Sequence, residues 1–208
     1  MGAKPADAIL VDAGTGNLHS VDHALRHLGY TIHITSQPDD LRHGGRVILP
    51  GVGAFAAFLN GLRQRGLVEA LADIVQRGDL LLGICVGMQA LFTLGEEIGQ
   101  HAGLDLLPGN VVRFPDFSDR KVPHTGWNQL WFEQGSPLLE GVSPGAHVYF
   151  NHSFYCKPAN PADILARTDY GIDFASMVCR QNLFGVQFHP EKSQRTGQRI
   201  LSNFIRAK

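Results

Sequence analysis

Short apolar runs recur through the first half of the chain. Ala8-Ile9-Leu10-Val11, Val47-Ile48-Leu49 and Leu80-Leu81-Leu82-Gly83-Ile84 are continuous rather than alternating, the pattern of strands covered on both faces. A further strand is expected over residues 30–35, alternating through Ile32 and Ile34. Between these runs the period changes to that of amphipathic helices. Residues 18–28 place Leu18, Val21, Leu25 and Leu28 on one face, and Gly29 stops them. Residues 54–65 and 67–76 read as two more helices, divided by Gly66 and followed by Gly78. After the run at 80–84, Met88-Gln89-Ala90-Leu91-Phe92 reads as helix. Strand alternating with helix predicts a parallel sheet with helices on both faces. Loops 12–17, 50–53 and 83–87 then gather at the carboxyl ends of its strands, where such sheets place their sites.

The style changes after about residue 105. Residues 110–114, 127–132, 147–150, 164–166 and 175–178 are short strands divided by Gly, Pro and Asp. They are expected as antiparallel additions to the sheet. Residues 193–206 read as a last helix, burying Ile200, Leu201, Phe204 and Ile205. No linker, repeat or composition break divides the chain, so residues 1–208 are read as one domain.

Composition narrows the class of function. Net charge is −1, with 44% hydrophobic and 18% charged residues, so neither a nucleic-acid nor a membrane surface is expected. No apolar run approaches the ~20 residues that span a bilayer. Cys85, Cys156 and Cys179 are an odd count without paired spacing. That opposes a disulfide framework and fits a reducing, cytoplasmic location. The N-terminus lacks the pattern of a signal peptide, and Ala6 stands where a myristoylation signal wants Ser or Thr.

The chemistry centres on Cys85. Gly83 and Gly87 flank it where a buried strand turns into a helix, as glycines flank the nucleophile of a strand–elbow–helix turn. Such a turn exposes the thiol at the end of the sheet and aims the N–H of Val86 at an oxyanion on the substrate. The blander reading is a small core cysteine. Gly14 and Gly16 suggest dinucleotide binding, but His19 stands where the third glycine belongs. His19, His23 and His27 lie four apart, opposite the apolar stripe and without an evident fourth ligand, so they read as a solvated face rather than a metal site. Pro50-Gly51-Val52-Gly53 can turn its peptide planes toward a ligand.

An extended Gly185-Val186-Gln187-Phe188 run delivers His189 at its end, and Pro190 biases His189 toward extended backbone. With the backbone extended through 191, Glu191 projects from the same side as His189. Glu191 can then accept from Nδ1–H while Nε2 faces Cys85, the logic of nucleophile, base and orienting acid. An α/β-hydrolase carries its acid well before its histidine. Here the acid follows by two residues, which disfavours an esterase.

Gly-Ile-Cys-Val-Gly-Met-Gln at 83–89 together with Gln-Phe-His-Pro-Glu at 187–191 resembles the class I (triad) glutamine amidotransferases over nearly the whole chain. Within them it is most similar to the glutaminase subunits of imidazole glycerol phosphate synthases. That closer likeness rests on Asp12-Ala13-Gly14-Thr15-Gly16-Asn17, Pro50-Gly51-Val52-Gly53-Ala54-Phe55, Val122-Pro123-His124-Thr125-Gly126-Trp127-Asn128 and Tyr149-Phe150-Asn151-His152-Ser153-Phe154. The third and fourth stretches discriminate against the glutaminases of anthranilate, aminodeoxychorismate and pyridoxal phosphate synthases.

The resemblance implies an α/β, flavodoxin-like fold: a central, mostly parallel sheet flanked by helices, with added antiparallel strands in the second half. It implies hydrolysis of L-glutamine by Cys85, His189 and Glu191, without metal or cofactor. Val86 and a peptide of Gly51, Val52 and Gly53 would form the oxyanion hole. Gln89, Glu97, Ser153 and Phe154 would hold the amino-acid part of glutamine. The implied partner is a (β/α)8-barrel cyclase subunit in a heterodimer, met through Asn17, Trp127, Tyr149 and Lys192. Ala13, Thr15, Thr125, Asn151 and Phe154 depart from the family's commonest residues, and Phe154 removes a hydroxyl near the substrate. The glutaminase of another synthase, a free-standing cysteine hydrolase and a silent regulatory module remain the alternatives, the last opposed by the intact Cys85, His189 and Glu191.

Overall fold

The computed structural model describes residues 6–207. The N-terminal stretch read for a signal peptide lies outside them through residue 5. The apolar runs form the centre of one sheet. β1 (Ala8–Val11), β2 (Ile32–Thr35), β3 (Arg46–Gly51) and β4 (Leu80–Cys85) pair in parallel in the order β2-β1-β3-β4. All four residues of β1 are buried, as are Leu81 to Cys85 in β4. The helices between these strands are α1 (Leu18–His27), α2 (Phe55–Gln64), α3 (Leu67–Arg77) and the single turn α4 (Val86–Ala90).

The chain then runs through β5 (Phe92–Gly95), β6 (His101–Ala102), β7 (Leu107–Arg113), β8 (His124–Leu130), β9 (Ala146–His152), β10 (Phe154–Pro158), β11 (Ile164–Asp169), β12 (Asp173–Arg180) and β13 (Leu183–Val186). It closes with α5 (Gln194–Arg206), whose Ile200, Leu201, Phe204 and Ile205 are buried. β13 returns to pair parallel with β4. The parallel half therefore reads β2-β1-β3-β4-β13, the order of the flavodoxin-like sheets. α1 packs with α5, while α2 packs with α3 and α4. These are the two helical layers that right-handed crossovers on either side of β1 require. Antiparallel β12 and β10 extend the sheet beyond β13, and β11 pairs with β12. β8 and β9 stand apart as a two-stranded ribbon. Among the described residues no helix is long and apolar enough to cross a membrane.

Four expectations change. The helix expected over 88–92 is α4, which begins at Val86 and ends at Ala90, so that Phe92 starts a strand. Ile34 is 38% exposed, because β2 is the outermost strand of the sheet. The second half is not wholly antiparallel, since β5 pairs parallel with β7. Residues 127–132 do not form one strand: β8 ends at Leu130, and Trp131 makes only a bridge to Arg167.

Candidate active site

The site begins with a steric constraint at the end of β4. Gly51 of β3 lies in register with Cys85. Cys85 itself has φ 54° and ψ −111°, a conformation that L residues adopt only when the surroundings impose it. The neighbours are correspondingly tight. A Cβ on Gly87 would lie 1.8 Å from the Leu49 carbonyl oxygen, and one on Gly83 would lie 2.6 Å from that of Gly87. Only glycines allow α4 to start so close to β3 and β4, and that closeness turns the Cys85 side chain out of the sheet. Cys85 is 4% exposed and lines a cleft of about 510 Å³.

The neighbouring strand supplies the histidine. β13 runs beside β4, and the chain continues through Gln187 and Phe188 to His189. The His189 N–H donates to the Tyr149 carbonyl at 2.9 Å, and the Ser193 hydroxyl donates to the His189 carbonyl at 2.6 Å. Pro190–Lys192 is a 3-10 turn. The expected extended backbone through Glu191 is therefore replaced by a turn, closed by the Lys192 N–H on the His189 carbonyl at 3.0 Å. The turn still sets Glu191 Oε1 2.9 Å from His189 Nδ1. The side chain of Glu191 is fully buried, behind the imidazole.

Burial by itself pushes the His189 pKa down. The neighbouring Cys85 and Glu191 outweigh that and raise it to about 10. An imidazole held in this way carries a proton on both nitrogens at neutral pH, so Nε2 already holds the proton that a leaving group needs.

Of the residues expected to carry the chemistry, Cys85, Val86, Val52, Gly53 and His189 line the one cleft. Gly51 does not; it is buried beneath, where a Cβ would lie 2.6 Å from the Gly87 nitrogen. The four residues expected to hold glutamine, Gln89, Glu97, Ser153 and Phe154, also line it. Gln89 Nε2 donates to the Phe154 carbonyl at 3.1 Å and to Gln187 Oε1 at 3.2 Å. Glu97 Oε2 accepts the Phe55 N–H at 2.6 Å, at the start of α2, where a carboxylate is favoured.

The four residues expected at a partner surface divide. Asn17 and Lys192 reach the cleft. Trp127 and Tyr149 face each other across the β8–β9 ribbon with ring centroids 6.1 Å apart. Lys192 Nζ lies 5.9 Å from the Tyr149 ring centre, so these side chains form one surface running into the cleft rim. Trp127 is 47% exposed. His19, His23 and His27 are exposed along α1.

Two features were not singled out from sequence. Gln187 is fully buried, and its Nε2 lies 3.8 Å from Cys85 Sγ. Its place two residues before His189, at the end of an apolar strand, was the available signal. His124 and His152 form a buried pair under the cleft wall. Each belongs to a motif used only for its resemblance.

The chain belongs to the class-I glutamine amidotransferase family, whose model matches residues 9–207. Its relatives define the branch. It is 50% identical over 195 residues to the imidazole glycerol phosphate synthase subunit HisH of Moorella thermoacetica, covering 94% of this chain and 92% of that protein. The protein of the same name from Geobacter metallireducens is 44% identical over 208 residues, covering 98% and 99%. Among solved structures, a glutamine amidotransferase superimposes with a TM-score of 0.75 at 22% identity, covering 95% of this chain and 97% of that one. PurLQS from Thermotoga maritima superimposes with a TM-score of 0.76 at 20% identity, covering 96% and 97%. These two likenesses carry the fold.

Proposed function

We propose that this chain is the glutaminase subunit of an imidazole glycerol phosphate synthase. It hydrolyses L-glutamine and delivers the ammonia to a (β/α)8-barrel cyclase subunit, in the cytoplasm and as one domain, in histidine biosynthesis. The observation that carries this reading is Cys85 at positive φ, facing the same cleft as a His189 held by Glu191. It occurs in a chain 50% identical to a relative named as that subunit.

In this reading Cys85 Sγ attacks the carboxamide carbon of glutamine. His189 holds the proton taken from the thiol and passes it to the departing ammonia. Glu191 orients the imidazole throughout. A water then attacks the thioester, giving up its proton through His189, and glutamate leaves with the thiol restored. The oxyanion is met by the Val86 N–H and by a peptide of the Gly51-Val52-Gly53 loop. A donor of this kind typically contributes ~3–4 kcal/mol to lowering the barrier. Gly53, at φ 86°, is free to take either orientation of that peptide. Gln89, Glu97, Ser153 and Phe154 hold the amino-acid end. Asn17, Trp127, Tyr149 and Lys192 meet the cyclase.

The test is glutaminase activity of the chain alone, then with a cyclase subunit, then with the cyclase and its ribonucleotide ligand. A large rise only in the complex supports the reading. Turnover that ignores the cyclase sends the chain to another synthase or to a free-standing hydrolase.

A further inference from the structure

His124 and His152 lie opposite each other in the β8–β9 ribbon, on its inward face. They are 2% and 6% exposed. Every ring nitrogen has one partner, and the partners fix the protons. His152 Nδ1 lies 2.8 Å from the Phe154 carbonyl oxygen, which can only accept, so Nδ1 carries hydrogen. In a neutral ring that leaves His152 Nε2 as an acceptor. His124 Nδ1 lies 3.1 Å from it and must donate. His124 Nε2 then accepts from Asn128 Nδ2 at 3.3 Å, and the same amide donates to the Asp169 carbonyl at 2.8 Å. The row has one consistent arrangement: both rings neutral, both protonated on Nδ1.

The surroundings hold that arrangement. Tyr170 stacks on His124 with centroids 3.9 Å apart, and Phe150 stacks on it at 4.7 Å. Phe114 and Phe174 each lie 5.2 Å from the His152 ring. A proton added to either ring would be buried among aromatics and would set two N–H groups against each other.

The row ends at the substrate cleft. The Phe154 carbonyl that accepts from His152 also accepts from Gln89 Nε2, and Gln89 in turn donates to Gln187, whose own amide reaches Cys85 Sγ. His152, Ser153, Phe154 and Gln89 all line the cleft.

We propose that His124 and His152 are a pair of positioning residues, locked as neutral Nδ1–H tautomers, that fix the Ser153 and Phe154 edge and the Gln89 amide for the amino-acid end of glutamine. The inference rests on the glutaminase reading and adds to it where binding precision comes from. The essential contact is the single hydrogen bond from His152 Nδ1 to the Phe154 carbonyl.

Three substitutions separate this from a packing role. The amide nitrogen of His152→Asn falls near the place of Nδ1 and keeps the donor. His152→Gln extends toward Nε2 and loses it, and His152→Phe keeps only ring volume. In the complex with the cyclase, His152→Gln and His152→Phe should raise KM for glutamine by about tenfold, because the Phe154 carbonyl then keeps only the Gln89 donor. Their kcat should change much less, and His152→Asn should restore KM. Synthesis driven by added ammonia should be unchanged in all three. Equal KM values for the Asn and Phe variants, or a loss confined to kcat, would overturn the proposal.

Nitrogen-15 NMR of the two rings in the unmodified protein gives a second test that needs no variant to fold. Both should be neutral Nδ1–H tautomers, and an Nε2–H signal from His152 would end the proposal by itself. Absence of glutaminase activity in the unmodified complex would instead defeat the functional reading. It leaves the ring tautomers to be judged on their own.

Discussion

Asn17 and His189 share one oxygen of Glu191. Asn17 Nδ2 donates to Oε1 at 3.1 Å, and His189 Nδ1 lies 2.9 Å from the same atom. The other oxygen, Oε2, is buried without a hydrogen-bond partner among the described residues. The loop after β1 therefore helps to aim the carboxylate, alongside the partner-facing role expected for Asn17. Removing this donor leaves Glu191 held by His189 alone. Hydrogen bonds to charged groups contribute ~1.5–3 kcal/mol, so Asn17→Ala is expected to slow acylation roughly tenfold or more. The measurement is the rate of Cys85 modification by a glutamine-like chloromethyl ketone in the chain alone, where docking plays no part. An unchanged rate would confine Asn17 to the surface.

The elbow yields a pair of predictions that separate chemistry from architecture. Cys85→Ala removes the nucleophile without adding volume. It should abolish glutamine hydrolysis while the complex still makes product from added ammonia. Gly87→Ala keeps the thiol but places a Cβ 1.8 Å from the Leu49 carbonyl oxygen. Backbone cannot yield there cheaply, and overpacking of this kind costs about 1–3 kcal/mol or more. Urea denaturation should show that loss for Gly87→Ala, whereas Cys85→Ala introduces no clash and loses only what the thiol contributes to holding the His189 charge.

Much of this was legible because the informative elements are strongly patterned. β1, β3 and β4 are continuous apolar runs, and a run covered on both faces belongs inside a parallel sheet. Gly83 and Gly87 advertise the elbow because a Cβ would meet the Gly87 carbonyl oxygen at the first and the Leu49 carbonyl oxygen at the second. The hidden parts lack such patterns. β5, β6 and β10 are short and mix polar with apolar residues. Phe92 sits at helical spacing from Met88 and Gln89, yet it pairs with Leu107 in a strand. Local periodicity cannot weigh a partner 15 residues away. Gln187 looks like an ordinary strand residue until β13 is seen beside β4. The tautomers of His124 and His152 follow from a contact spanning 28 residues, which no local pattern encodes.

The raised pKa of His189 links the active site to stability. Folded His189 titrates at about 10 against an ordinary 6.5. Between those values the folded protein binds a proton that the unfolded chain has released, so stability falls as pH rises. The contribution is complete below about 6.5. It is lost as pH climbs through about 10. Comparing the unmodified protein with His189→Gln cancels the other titrating groups. The advantage of the unmodified protein in Tm should shrink steadily from pH 6.5 to 9.5. A difference independent of pH would mean that Cys85 and Glu191 do not hold the imidazole in its charged form.

The buried histidine pair gives the opposite slope. Burial pushes His124 down to about 4 and His152 to about 3. Near pH 5 the unfolded chain has taken up protons that the folded pair refuses. The pair's contribution to stability is thus complete above about 6.5 and is lost as pH falls toward 4. The rings around them, Phe114, Phe150, Tyr170 and Phe174, carry no charge at these pH values to offset the loss, and the charge of His189 adds to it. One such histidine shifts the unfolding free energy by about 2 kcal/mol between pH 7 and pH 5. His152→Asn removes that titration while keeping the donor to Phe154. Urea denaturation at the two pH values should therefore show the unmodified protein losing about 2 kcal/mol more than the variant. Equal losses would mean that His152 already carries a proton when folded, which the row of hydrogen bonds through His124 does not allow.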